Sequence, residues 1–207
     1  ENKNFNFINQ TRSQKGIYGA MNIGFDNAME NEWILFWGSD DWAGDNNVLE
    51  KASKIIKKNS SSTLIVCKGK YGKDEKTLKR NAFFKRLTTK FLKIDSKEFR
   101  DYLLWGHSLP HQATIFSPLA KQKLSQYSTK YKLAADLDYF LKLSVFKDFF
   151  IIICDLEIVH MGDDGISGKE TFLRLKEVIR SYYNSFKIFF LIPFFMRYVR
   201  RLISLLN

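Results

Sequence analysis

Two adjacent carboxylates, Asp40 and Asp41, close the segment Trp-Ile-Leu-Phe-Trp-Gly-Ser-Asp-Asp that begins at residue 33. Like charges side by side are costly unless a cation or a hydrogen-bond network neutralises them. A hard divalent ion bridging to a substrate phosphate does this with oxygen ligands alone. The five apolar residues before Gly38 predict a strand buried on both faces of a mainly parallel sheet. That places the acids at the strand's carboxyl end, where open α/β sheets bind ligands. The competing reading is a turn whose carboxylates cap a helix beginning near Asp45.

Lys-Gly-Ile-Tyr-Gly-Ala-Met-Asn, residues 15–22, precedes this strand. Gly16 and Gly19 permit tight turning and close approach by a ligand. Tyr18 could pack on a base or ribose and Asn22 could hydrogen-bond one; the alternative makes Gly16 a turn and Tyr18 core. Asp136 and Asp138 open a helix at i and i+2, a spacing that does not face one way, so the two acids are expected to do different jobs. Otherwise both simply favour the positive end of the helix dipole. His111 and Gln112 stand before an apolar strand, where the histidine is either a surface or core residue or a hydrogen-bonding group of a site.

The elements that must position these residues follow from periodicity. Helical spacing is expected from Ile17 to Ala28, over 45–58, from Pro118 to about Tyr127, over 134–146 (Leu137, Leu141, Val145) and from about Lys169 (Phe172, Leu175, Val178, Ile179). Strands are expected at 33–37, 63–67 and 149–154, the last extended by 158–161. Residues 68–100 read as a lysine-rich excursion with a short helix near Phe83–Leu92. Gly162 to Gly168 reads as a glycine-containing loop able to move, with Asp163 and Asp164 in a solvated turn.

At 207 residues with 45% hydrophobic and 27% charged side chains, the chain suits one ordinary globular domain. The net charge of +11 is uneven. Residues 1–50 hold 3 basic and 8 acidic side chains, 51–100 hold 16 and 4, 101–168 hold 6 and 8, and 169–207 hold 8 and 2. Every acidic constellation lies in the two acidic segments, and the basic ones flank them, which suits an anionic substrate or surface. Cys67 and Cys154 each sit in an apolar strand-like run, as buried reduced thiols do.

In order and spacing, residues 15–168 resemble the middle of a family 2 glycosyltransferase, closest to the branch that builds bacterial polysaccharide and lipopolysaccharide. The resemblance rests on Lys-Gly-Ile-Tyr-Gly-Ala-Met-Asn-Ile-Gly, Glu-Trp-Ile-Leu-Phe, Gly-Ser-Asp-Asp and Leu-Ala-Ala-Asp-Leu-Asp-Tyr-Phe-Leu-Lys-Leu. It implies an α/β fold of the GT-A type with a mainly parallel sheet flanked by helices. It departs from the branch at Gly19, where Asp is usual. By resemblance Asp41 would hold Mn²⁺ or Mg²⁺ against the donor diphosphate, with Tyr18, Asn22 and Asp40 as donor contacts. Asp136 would match the catalytic base, Asp138 the supporting acid, and His111 and Gln112 would lie near donor sugar and acceptor. His160 lies where many such enzymes supply a late metal ligand.

The implied reaction is an inverting transfer from a nucleotide-diphosphate sugar to a saccharide or lipid-linked acceptor, with no nucleic acid partner. The first two βα units of the family have no counterpart, so about 60 or more residues are expected to be missing before Glu1. The expected organisation is a partial transferase domain over 1–184 and a basic, aromatic amphipathic segment over 185–207. Nine uncharged residues, 188–196, are too few to span a bilayer. With Arg197, Arg200 and Arg201 they suit a helix lying in the membrane interface, or else one packed on the domain. The expected location is the inner face of the cell membrane. The rival readings are a non-catalytic basic module binding anionic membrane or nucleic acid, and, ranked lower, a metal-dependent phosphohydrolase.

Overall fold

The computed structural model describes residues 7–11, 15–72, 80–81, 91–162 and 170–206. Helix α1 (Ile17–Asn27) leads to two short strands, β1 (Ile34–Leu35) and β2 (Trp42–Ala43), then α2 (Val48–Lys58) and β3 (Leu64–Tyr71). After β4 (Arg80–Asn81) come β5 (Phe91–Asp95), α3 (Ser96–Leu104), a 3-10 turn (His111–Ala113), β6 (Thr114–Phe116), α4 (Pro118–Lys123) and α5 (Ala135–Leu143). The long strand β7 (Phe150–Met161) precedes α6 (Thr171–Phe186), a second 3-10 turn (Lys187–Phe190) and α7 (Leu191–Leu206).

The described strands form one sheet of seven, in the order β1-β6-β3-β7-β2, with β4 on β3 and β5 on β7. The sheet is mixed rather than mainly parallel: β3 and β7 pair parallel, and the other described pairs are antiparallel. The reason is where the continuous apolar runs lie. Leu64, Val66, Ile151 and Ile153 face one hydrophobic cluster, and Ile65, Cys67, Ile152 and Cys154 face the other. This is the period-two alternation of strands covered on both faces. The shorter strands flank that centre. β1, expected to be buried on both faces, is half-buried because it sits at the sheet edge with β6 as its partner. The Sγ atoms of Cys67 and Cys154 lie 3.3 Å apart, buried and unbridged.

Helix α2 covers one face through Val48 and Ala52, while its lysines face solvent. The other face is covered by α1, α3, α5 and α6. In α6 the buried side is Glu177, Val178, Ser181 and Tyr182, and Phe172, expected in the apolar stripe, is exposed. Val145 likewise lies beyond the end of α5 and is exposed. The short helix expected near Phe83 falls mostly outside the described residues; its end, Phe91 and Leu92, opens β5 instead. No described helix is long and apolar enough to cross a membrane. Helix α7 instead docks on the domain. Gly106, with φ 73°, lies so close beneath it that an added Cβ would stand 2.3 Å from the Arg197 nitrogen. Only glycine accepts both that backbone angle and that approach.

Candidate active site

Asp136 lies in the first turn of α5 and is half-buried. Its position is fixed from across the domain. The Glu177 carboxylate, buried on α6, accepts from the backbone N–H groups of Lys132 (2.8 Å), Leu133 (2.8 Å) and Ala134 (3.0 Å). A helix start leaves N–H donors without intrahelical partners, and Ala134, the N-cap residue, offers no side-chain acceptor. Glu177 instead ties down the three N–H groups that lead into the helix. Charge-assisted bonds of this kind are about twice as strong as neutral ones.

Around Asp136 the chain gathers aromatic hydroxyls and one imidazole. Tyr18 Oη, buried on α1, donates to Asp136 Oδ1 at 3.3 Å. Burial, together with the Asp136 charge, pushes the Tyr18 phenol far above its ordinary range, so it stays a donor. His111 is buried, and its Nε2 shares a hydrogen bond of 2.7 Å with the Tyr127 hydroxyl. Burial lowers the His111 pKa to about 4 against the opposing pull of Asp136, which leaves the imidazole neutral at pH 7. Asn22 brackets the Tyr127 backbone, donating to its carbonyl at 3.0 Å and accepting from its N–H at 2.7 Å. Its amide is therefore committed to holding Tyr127.

From β1 the chain runs past the same imidazole. The Phe36 ring stacks on His111 with centroids 5.7 Å apart, and Trp37 Nε1 donates to the Gln112 carbonyl at 3.2 Å. Gly38 and the acidic pair come next. The Gly38 N–H donates to Asp41 Oδ2 at 2.6 Å, and the Asp41 N–H to the Gly38 carbonyl at 3.3 Å, so the segment is also a closed turn. Burial raises the Asp41 carboxyl and the Asp40 charge adds to it, while the Gly38 bond opposes them. Asp40 is exposed and bracketed by two glycines. An added Cβ would lie 2.9 Å from Asp40 Oδ1 at Gly38 and 2.6 Å from Asp40 Oδ2 at Gly162. The end of β7 thus comes directly against the pair.

Asp40 and Asp41 offer oxygen donors of the kind a hard cation takes, and such an ion commonly completes its shell with substrate phosphates and water. No group of three or more His, Cys, Asp or Glu side chains among the described residues is arranged for a metal. His160 Nε2 pairs with Glu157 Oε1 at 2.6 Å, its ring meets Trp42 edge-on, and its Nδ1 is buried without a partner. Burial works against the Glu157 charge, but Lys70 and His160 bring its carboxyl below the ordinary range. Asp138 is buried and pairs with Lys142 at 2.6 Å, one turn along α5.

The structure therefore brings Tyr18, Asn22, His111 and Asp136 into one cluster, and connects the acidic pair to it through Phe36, Trp37 and the 111–112 backbone. His160 and Asp138 engage other partners. Gly165 to Gly168, with Asp163 and Asp164, lie outside the described residues. Tyr127, Glu177 and Tyr182 were not singled out from the sequence, and Arg197 was read only as one of the cations of an interfacial helix. Arg197 reaches inward from α7, with Nη1 buried; burial disfavours its charge, but Tyr182 and Asp136 more than offset this. Glu177 had a signal, because it shares the helical face of Val178, Ser181 and Tyr182.

Comparison with known proteins adds the following. A family model described as "Glycosyl transferase family 2" matches residues 1–127. No curated protein sequence matches the chain significantly. Among solved structures, S. aureus TarS 1–349 superposes with a TM-score of 0.56 at 14% identity, covering 91% of this chain and 52% of that one. A longer S. aureus TarS structure gives 0.57 at 15%, covering 89% and 31%. TarS 1–349 in complex with UDP gives 0.54 at 16%, covering 83% and 46%. The chain spans about half or less of the length of these relatives.

Proposed function

The chain belongs to glycosyl transferase family 2, and we propose that it forms part of an inverting enzyme that moves a sugar from a nucleotide-diphosphate donor to an acceptor hydroxyl. Its fold is the GT-A α/β arrangement, a mixed sheet flanked by helices. The UDP complex of a structural relative supports a nucleoside diphosphate as the donor's leaving group. The finer reading is synthesis of a bacterial surface polysaccharide on a saccharide or lipid-linked acceptor at the inner membrane face.

One observation carries this reading. Asp136, hydrogen-bonded by Tyr18, lies near enough to act electrostatically on His111, and the Phe36 ring, on the segment leading to Asp40 and Asp41, stacks on that imidazole. In the proposed reaction the acceptor oxygen attacks the anomeric carbon as the bond from that carbon to the diphosphate oxygen breaks. Tyr18 occupies Asp136 Oδ1, so Oδ2 takes the acceptor proton as general base. Direct displacement inverts the anomeric centre and needs no covalent sugar–enzyme intermediate.

Asp40 and Asp41 would hold Mn²⁺ or Mg²⁺ together with donor oxygens. When bound, such an ion supplies positive charge to offset that of the departing diphosphate. The protein's own task there is to keep two carboxylates adjacent at the strand end. Gly38 and Gly162 leave them the room. The test is nucleoside diphosphate release by the chain from UDP-, GDP- and dTDP-sugars with Mn²⁺. Release from one nucleotide class, rising with acceptor, is expected. Steeply salt-dependent DNA or RNA binding without any response to nucleotide sugars would favour the non-catalytic basic module.

A further inference from the structure

A groove of about 590 Å³ lies away from Asp136, between α3, the loop that follows α5 and the start of the C-terminal segment. Its walls are apolar: Leu104, Val145, Phe146, Phe186, Phe189 and Ile192. Val145 is 64% exposed and Phe189 60%. Leaving large apolar groups open to water is unfavourable, and contiguous patches of this kind mark interaction sites.

The groove is continuous with the outer side of α7. Ile192, Phe195, Val199 and Leu202 are all exposed and recur at three- and four-residue spacing. That spacing makes one stripe. The opposite side of the helix is already occupied. Pro193 is buried, Gly106 lies against the Arg197 backbone, and Arg200 Nε donates to the Trp105 carbonyl at 2.9 Å. The helix is thus fixed on the domain by one face and presents the other.

The charge around this surface selects its occupant. Lys187 and Arg201 are exposed and residues 178–207 hold no Asp or Glu, while Arg197 is turned inward, Arg200 bonds the Trp105 carbonyl and Arg180 lies over the Tyr131 ring. Lys97 and Lys147, both exposed, stand on the groove, and Lys123 lies 5.6 Å over the Phe146 ring. Arg100 is engaged: it donates to Ser144 Oγ and the Ser185 carbonyl, each at 2.9 Å, and packs over Phe186. Asp101 is the acid in the lining, and Asp148 follows Lys147. A second copy related by two-fold symmetry would bring these cations against themselves. An anionic bilayer meets both the apolar stripe and the cationic rim.

We infer that this face docks on an anionic phospholipid surface, with α7 lying in the interface and the groove taking one acyl chain while Lys97 and Lys147 meet the phosphate. The inference deepens the membrane part of the function proposed above. Lipid binding is read without any nucleotide sugar, so either can fail alone.

The test uses the purified chain, phosphatidylcholine vesicles with and without phosphatidylglycerol, and monomeric dihexanoyl-phosphatidylglycerol as a soluble probe. Co-sedimentation should favour the anionic vesicles by about tenfold or more, and the Lys97→Glu/Lys147→Glu double variant should lose about that preference. Val145→Arg, at an exposed site on the groove, should abolish saturable binding of the short-chain lipid. Unchanged thermal melting of these surface variants separates lost binding from lost folding. Equal partition into both vesicle types would overturn the inference, as would short-chain binding that survives Val145→Arg. So would a concentration-dependent dimer that buries the stripe and leaves vesicles unbound.

Discussion

The Tyr18 hydroxyl donates a hydrogen bond of 3.3 Å to Oδ1 of Asp136, joining positions 118 residues apart in the chain. Helix α1 supplies the phenol and α5 the carboxylate, and both belong to the larger hydrophobic cluster. The bond gives the two carboxylate oxygens different surroundings. Replacing Tyr18 with Phe keeps the ring in the core and removes that donor. Turnover should fall about 10- to 100-fold with donor affinity little changed, read as kcat against KM on the parental background. Unaltered turnover would mean that this bond does not prepare the base.

Glu177 makes the second long-range attachment of Asp136, through three backbone N–H groups that precede α5. Glu177→Ala leaves those donors without an acceptor and should cost about 3–5 kcal/mol of stability, measured by denaturant unfolding. Glu177→Gln keeps one accepting oxygen and should cost about 1–2 kcal/mol. Equal losses for both variants would show that volume, not the hydrogen bonds, is what matters at this position.

His111 makes stability depend on pH in a defined direction. Its folded pKa, lowered to about 4, lies below the ordinary value of 6.5. Between those values the unfolded chain binds the proton and the folded chain does not, so stability falls as pH drops through that window. The contribution reaches about 3 kcal/mol by pH 4. Unfolding curves of the parent and of His111→Gln, taken at several pH values in this range, should converge toward acid. Parallel curves would contradict the assignment.

Gly38 stands beneath both acidic side chains, with its missing Cβ 2.9 Å from Asp40 Oδ1 and 3.3 Å from Asp41 Oδ2. Gly38→Ala should displace the pair by a few tenths of an ångström. Mn²⁺-dependent binding of a nucleoside diphosphate, followed by titration calorimetry, should weaken by about tenfold while the fold persists. Binding that is independent of both Mn²⁺ and this substitution would restrict Asp40 and Asp41 to their turn.

Much of this arrangement could be read from residue order. The β3 and β7 runs are apolar at every position of their paired centre, and α2 separates its lysines cleanly from Val48 and Ala52, so periodicity finds them. β5 was hidden because its short alternation lies in a lysine-rich tract. β1 misled for the opposite reason: Trp33 to Trp37 is as apolar as a central strand, yet it fills an edge by packing its aromatic rings. Tyr18, Asn22, His111 and Asp136 were legible as residue types. Asn22's actual partner, the Tyr127 backbone, was not, because nothing local links positions 105 apart. Arg197 reads as a surface cation beside other arginines, and only the docking of α7 turns it inward.

The most direct measurement compares nucleoside diphosphate release by the parent and by Asp136→Asn, with Mn²⁺, donor sugar and acceptor present. The account predicts that the variant binds the donor as the parent does but turns over slower by a factor on the order of a thousand or more, because Asn cannot take the acceptor proton. Turnover by Asp136→Asn close to the parental rate would contradict it.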